Sequence, residues 1–127
     1  MKILIVEDQA DLRQLMQMTL GLDDHELHEA ADAQAGWDAA LAQRPDLVLL
    51  DIMMPGTMDG LDLCRRLKAD PRTAAMKVVL VSARGHRNDM QIGLDAGADD
   101  YLLKPYSPLR LVEVVEAMAP ATPARSA

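Results

Sequence analysis

The sequence of 127 residues has no phenylalanine, one tryptophan and two tyrosines. Its core must therefore be aliphatic. Leu, Val, Ala and nine methionines have to fill it, and flexible Met suits the gaps that rings would occupy. Cysteine is almost missing too. A lone Cys64 excludes a disulfide framework and fits a reducing compartment such as the cytoplasm. Nor is there an apolar run near the ~18 residues of a membrane span, because Asp51 interrupts the best stretch, Leu47 to Met54. The apolar run Ile3 to Val6 is too short for a signal peptide, and acids follow it. Basic residues are in the minority, 13 Lys and Arg against 20 Asp and Glu, for a formal net charge of −7. That balance argues against nucleic-acid binding by this domain through a basic face.

What is present is an alternation of short apolar runs with helical periods. Lys2 to Val6 reads as a strand buried on both faces. Leu12, Leu15, Met16 and Thr19 then recur at helical spacing. His25 to Ala30 is a more polar strand, suited to a sheet edge. Ala33, Gly36, Trp37, Ala40 and Leu41 outline a second helix, with Asp32 as its N-cap and Pro45 near its end. Leu47 to Leu50 is a buried strand ending in Asp51, and a loop follows from Pro55 to Gly60. Leu61, Cys64 and Leu67 mark a third helix, closed by Asp70-Pro71. Val78 to Val81 runs into Ser82, Arg87 to Ala96 is a helix of weak periodicity, and Tyr101 to Leu103 ends at Lys104-Pro105. Ser107 caps a last helix with Pro108 in its first turn, the position proline favours. Its apolar arc (Leu111, Val112, Val114, Val115, Met118, Ala119) is wider than one stripe. Val114 either packs on the sheet or belongs to an exposed partner-binding face. Residues 1–119 are expected to form one domain, and 120–127 a flexible tail or linker.

Five strands alternating with five helices predict an α/β fold, a doubly wound parallel sheet covered on both faces. Ligands of such sheets bind beyond the carboxyl ends of the strands. Here those ends carry Glu7-Asp8, Asp51, Ser82 and Lys104. Gathered in one crevice, three carboxylates would raise one another's pKa. A Mg²⁺ ion would remove that conflict, and together with Lys104 it would leave the site neutral enough for a phosphoryl group. Each residue alone has an ordinary explanation as a helix-start acid, a turn residue or a solvated strand exit. Their joint placement at successive strand ends does not.

With these residues in place, the chain resembles the receiver domain of bacterial two-component response regulators. The resemblance rests on Ile3-Leu4-Ile5-Val6-Glu7-Asp8, Leu47 to Pro55, Val79-Leu80-Val81-Ser82-Ala83 and Gly97 to Pro105. It implies a flavodoxin-like sheet of order 2-1-3-4-5. It implies that Asp51 accepts a phosphoryl group from a histidine kinase or phosphotransfer protein. Glu7, Asp8, Asp51 and the Met53 carbonyl would serve Mg²⁺, with Glu7 acting through a water. Lys104 and Ser82 would contact phosphoryl oxygens, and the Lys104-Pro105 bond would be cis. Ser82 and Tyr101 would form the switch, Tyr101 turning inward as the Ser82 hydroxyl moves. The face made by the fourth helix, fifth strand and fifth helix would then control a partner or an output domain. By the same resemblance the chain is not an enzyme but a phosphoacceptor that assists its own phosphorylation and dephosphorylation in the cytoplasm, without membrane attachment.

Several residues depart from the family pattern or stand outside it. Glu7 stands where many members have Asp, and the loop Pro55–Gly60 is one residue longer than usual. The last helix carries Arg110 but no later basic residue. Acid-base pairing of Asp99 and Asp100 across a dimer face therefore lacks partners, and a monomer or weak dimer is expected. Met53 and Arg84 would line the entrance to the phosphoryl site and slow water. His25 and His28 face opposite sides of a strand and do not make a metal pair. His86 is expected to be solvated, while Cys64 and Trp37 belong to the core. Two other classes meet contrary residues. A haloacid-dehalogenase-type phosphatase needs a second Asp where Met53 stands, and a flavodoxin-like nucleotide binder needs a glycine-rich loop where Glu7-Asp8-Gln9-Ala10 stands. Whether the chain is a whole regulator or part of a longer one is left open.

Overall fold

The computed structural model describes residues 1–22, 24–54, 56, 58–83 and 87–119, with backbone only at 87–89. The expectations for Pro55, Arg84, His86 and the tail 120–127 fall outside these residues. The elements are β1 (Lys2–Val6), α1 (Ala10–Leu20), β2 (Glu26–Ala30), α2 (Ala33–Gln43), β3 (Leu47–Asp51), α3 (Gly60–Ala69), β4 (Lys77–Ser82), α4 (Arg87–Asp95), β5 (Asp100–Leu103) and α5 (Pro108–Ala117). All strand pairs are parallel, in the order β2-β1-β3-β4-β5. The expected fold class and strand order are thus observed.

The continuous apolar runs have a direct cause. Successive strand residues point to opposite faces, and both faces are covered. Leu4, Val6, Val48, Leu50, Val78 and Leu80 pack with Trp37, Leu63 and Leu67 on the side of α2 and α3. Ile3, Ile5, Leu47, Leu49, Val79 and Val81 pack with Met16, Leu20, Leu111, Val114 and Val115 on the side of α1 and α5. Each such side chain contributes about 1.5–3 kcal/mol through burial. Caps fix the helix starts. Asp32 accepts from the Ala35 N–H at 2.7 Å, and Ser107 accepts from Arg110 at 3.1 Å. Asp59 and Asp62 form a reciprocal capping box at the start of α3.

Two expectations about helix faces change, and the choice left open for Val114 is decided. Leu15 is 55% exposed, and α1 buries Met16 and Leu20 instead. The helix is rolled so that Leu15 lines a groove of about 380 Å³ beside Tyr106 and Pro108. In α3 the buried stripe is Leu63, Cys64 and Leu67, while Leu61 only borders it. In α5 Val114 is buried at 1% exposure, because Leu111, Val114 and Val115 form one stripe against the sheet; the exposed apolar residue is Leu109. Trp37 is core as expected, with the Arg66 guanidinium 4.1 Å over its ring. Cys64 is also core, and burial pushes its thiol up to about 11, which disfavours the reactive thiolate.

Asp99 is committed inside its own domain. Its Oδ2 accepts from Lys68 Nζ at 2.9 Å and from the Val78 N–H at 2.8 Å, and Lys68 also donates to the Met76 carbonyl at 2.7 Å. This ties α3, β4 and the turn before β5. Asp99→Ala is expected to lower stability by about 2 kcal/mol, chiefly by leaving the Val78 N–H unpaired. Asp99→Asn should cost about half as much, because it keeps one acceptor. Urea titration of the two variants checks this order, and equal stability of both with wild type would contradict it.

Candidate functional site

The order β2-β1-β3 reverses the chain direction of travel between β1 and β3, and the ends of β1, β3, β4 and β5 open onto one crevice. Glu7 follows β1 directly. Its N–H donates to the Ala30 carbonyl at 3.1 Å, and its side chain is only 1% exposed. Asp8 comes next and is half-buried. Asp51 is the last residue of β3 and is buried at 5% exposure. The Met53 N–H donates to Asp51 Oδ1 at 3.2 Å, which fixes the carboxylate and places the Met53 backbone beside it.

Carboxylate oxygens of Glu7, Asp8 and Asp51 lie within 4.8 Å of one another. Lys104 enters from the end of β5. Its backbone N–H donates to the Ser82 carbonyl at 2.8 Å, which sets the lysine next to buried Ser82. Its Nζ lies 3.1 Å from Glu7 Oε1 and 3.6 Å from Asp51 Oδ2. The Lys104-Pro105 peptide is cis, as expected. The residues named from the sequence for chemistry therefore converge, apart from Tyr101. That side chain is buried on the α2–α4 side of the sheet, in the same cluster as Leu80.

The cluster is short of positive charge. Burial is the main reason that the Glu7 carboxyl is held above its ordinary range, and the nearby Asp51 adds to it. Asp8 is raised by burial and then by Glu7. Even the Tyr106 phenol is pushed up to about 12, by burial and then by Glu7 and Asp51. Among the described side chains that meet these carboxylates, one lysine faces three acids, which leaves two negative charges if all ionise. A divalent cation is the natural complement. The donor set is all oxygen, with no imidazole or thiolate among the clustered ligands, which fits a hard ion of the Mg²⁺ type. Glu7, Asp8 and Asp51 are the side chains that could hold it.

Two contributors to this site have no sequence signal. Gly60, the first residue of α3, lies so close under the end of β3 that a Cβ would stand 2.1 Å from the Asp51 carbonyl oxygen. Arg13, from α1, donates to the Glu7 carbonyl at 2.7 Å. Tyr106 carries a weak signal, since it is the second of only two tyrosines and lies two residues after Lys104.

Comparison with known proteins agrees with this geometry. Residues 3–116 match the family described as response regulator receiver domain. The phosphate regulon transcriptional regulatory protein PhoB of Pseudomonas aeruginosa is 40% identical over 116 residues, which are 91% of this chain and 50% of that protein. The chain spans about half the length of the curated relatives it matches. Among solved structures, the BeF3-activated N-terminal receiver domain of RstA from Klebsiella pneumoniae is similar with a TM-score of 0.84 and 31% identity, covering 93% of this chain and 97% of that one. The receiver domain of NtrX from Brucella abortus has a TM-score of 0.84 and 33% identity, with 91% and 96% covered.

Proposed function

This chain belongs to the response regulator receiver domain family, a phosphoacceptor signalling domain of two-component systems, and from that premise we propose that Asp51 is its phosphoacceptor. The observation that supports this best is the close set of Glu7, Asp8 and Asp51 with Lys104 Nζ reaching both Glu7 and Asp51. In the proposed reaction an Asp51 carboxylate oxygen attacks the phosphorus of a phosphohistidine on a histidine kinase or phosphotransfer protein. The P–N bond breaks and the imidazole leaves. Such a transfer needs positioning and charge neutralisation more than covalent help. The Met53 N–H holds the Asp51 carboxylate in place. Lys104, a point charge at 3.1 Å from Glu7, would move its contact to a phosphoryl oxygen. Ser82 would supply a hydroxyl to another. Mg²⁺ held by Glu7, Asp8, Asp51 and the Met53 carbonyl would supply the remaining charge neutralisation. The half-exposed Met53 would cover the entrance and slow hydrolysis.

The signal would then pass through Ser82 and Tyr101 to the face of α4, β5 and α5, and from there to a partner or an output domain. Residues 1–119 would be the receiver unit and 120–127 its tail or linker. A monomer or weak dimer is the expected state, and the structure supports it: Asp99 is already bound to Lys68 and Val78, and Asp100 Oδ1 accepts the Tyr101 N–H at 2.7 Å. Among the described residues no helix is long and apolar enough to cross a membrane; a cytoplasmic domain that binds no nucleic acid itself is proposed.

Incubation with acetyl phosphate and Mg²⁺ is expected to add one phosphoryl group, labile to hydroxylamine as an acyl phosphate is. EDTA should abolish the reaction. Labelling that ignores EDTA, or that resists hydroxylamine, would overturn the proposal.

A further inference from the structure

We propose that Arg13 is a positioning residue for the acid pair, holding the Glu7-Asp8 peptide so that both carboxylates face Asp51. This rests on the reading of the cluster as a divalent-cation site. Arg13 sits one turn into α1, and its guanidinium reaches back over the loop from β1. One nitrogen donates to the Glu7 carbonyl at 2.7 Å, and Nε donates to Glu29 Oε1 at 3.0 Å. Glu29 belongs to β2, in register with Ile5 of β1. Its other oxygen accepts from Gln17 Nε2 at 2.8 Å. The guanidinium is thus held at two atoms, and the carboxylate that holds it is held in turn.

The placement of the carbonyl bond matters more than the ion pair. An Arg13–Glu29 pair with side chains 20% and 36% exposed contributes little by itself. The bond to Glu7 is short, charge-assisted and partly buried. It lands on the peptide that joins the two acids. That peptide is planar, so fixing its carbonyl fixes the direction in which the chain delivers the Asp8 Cα. On the other side, the Glu7 N–H is fixed by the Ala30 carbonyl of β2. Glu7 is therefore clamped at both backbone groups, one of them through Arg13. Lysine carries the charge but lacks the fork that spans a carbonyl and a carboxylate together.

The test is the Mn²⁺ dissociation constant, from water-proton relaxation, and the Mg²⁺ constant, from calorimetry, on the unphosphorylated domain. Partners behind metal ligands typically change affinity by roughly tenfold to a hundredfold. Arg13→Gln is expected to bind Mn²⁺ about tenfold more weakly, Arg13→Lys to fall in between, and Glu29→Gln to weaken binding a few-fold. Asp99→Asn, destabilised at a remote tie, should bind like wild type. If wild type binds no divalent cation, the reading of the site fails and this proposal with it. If wild type binds and Arg13→Gln binds equally well while folded, only the role of Arg13 is overturned. That role is overturned as well if Asp99→Asn loses as much affinity as Arg13→Gln does.

Discussion

Asp51→Ala is expected to reduce labelling by acetyl phosphate to background, and Asp51→Asn to make the cation-free domain more stable than wild type. The first result follows from position. Asp51 is the buried terminal residue of β3, oriented by the Met53 N–H and 3.6 Å from Lys104 Nζ. Glu7 is buried too, but Lys104 Nζ already donates to it at 3.1 Å. The second result follows from charge. Glu7 is raised by burial and by Asp51, so the folded state carries like charges that the unfolded chain separates. Asparagine removes one of them and keeps an oxygen for the Met53 N–H, while Lys104 keeps Glu7. A gain of about 1 kcal/mol is expected in EDTA. Mg²⁺ at a hundred times its dissociation constant should add about 2.7 kcal/mol to wild type and much less to the variant. The stability order then reverses between EDTA and Mg²⁺. Urea midpoints in both conditions measure it. Persistent labelling of Asp51→Ala, or a variant less stable than wild type in EDTA, would contradict the assignment.

How much of this was readable in the sequence depends on how far apart the interacting residues lie. Ile3 to Val6 and Leu47 to Leu50 announce strands because both sheet faces are covered, and Glu7, Asp8 and Asp51 stand out because they end those runs. A residue at a strand end needs no partner to be noticed. Helix roll is different. Leu15 and Thr19 lie one turn apart, as do Met16 and Leu20, so the period alone does not choose between the two rows; packing against Ile3, Ile5 and Leu47 buries the second. Asp99 shows the same limit for polar groups. It looks like a surface acid available to a second copy, yet its partners Lys68 and Val78 lie 31 and 21 residues away. Arg13 is only six residues from Glu7, but its bond is to a backbone oxygen, which no side-chain pattern marks. Arg44 ends α2 at φ 51°, a left-handed turn for which the nearby Pro45 was the sole sequence sign.

Gly60 is the extreme of that hidden class, and Gly60→Ala is expected to lower stability by about 3 kcal/mol or more. A Cβ there would lie 2.1 Å from the Asp51 carbonyl oxygen, 2.7 Å from the Ile52 Cα and 2.8 Å from the Asp51 carbonyl carbon. All three are backbone atoms, so no side chain can swing aside. Overpacking that displaces side chains costs about 1–3 kcal/mol, and backbone displacement belongs at or above the top of that range. For a domain of this size the melting temperature should fall by roughly 10 °C or more. Gly56 separates the two reasons for needing glycine. It has φ 115° with nothing within 4 Å of a Cβ among the described residues, so Gly56→Ala is expected to carry chiefly backbone strain, about 1–2 kcal/mol. A Gly60→Ala variant as stable as Gly56→Ala would mean that α3 can shift away from β3 at little cost. The expected difference has a functional consequence. The Gly60 N–H donates to the Ile52 carbonyl at 3.1 Å, so the start of α3 is bonded to the residue after Asp51. A helix pushed outward would carry that peptide with it and turn the Asp51 carboxylate from Lys104. Gly60→Ala should therefore lose phosphoryl incorporation even at temperatures where it remains folded.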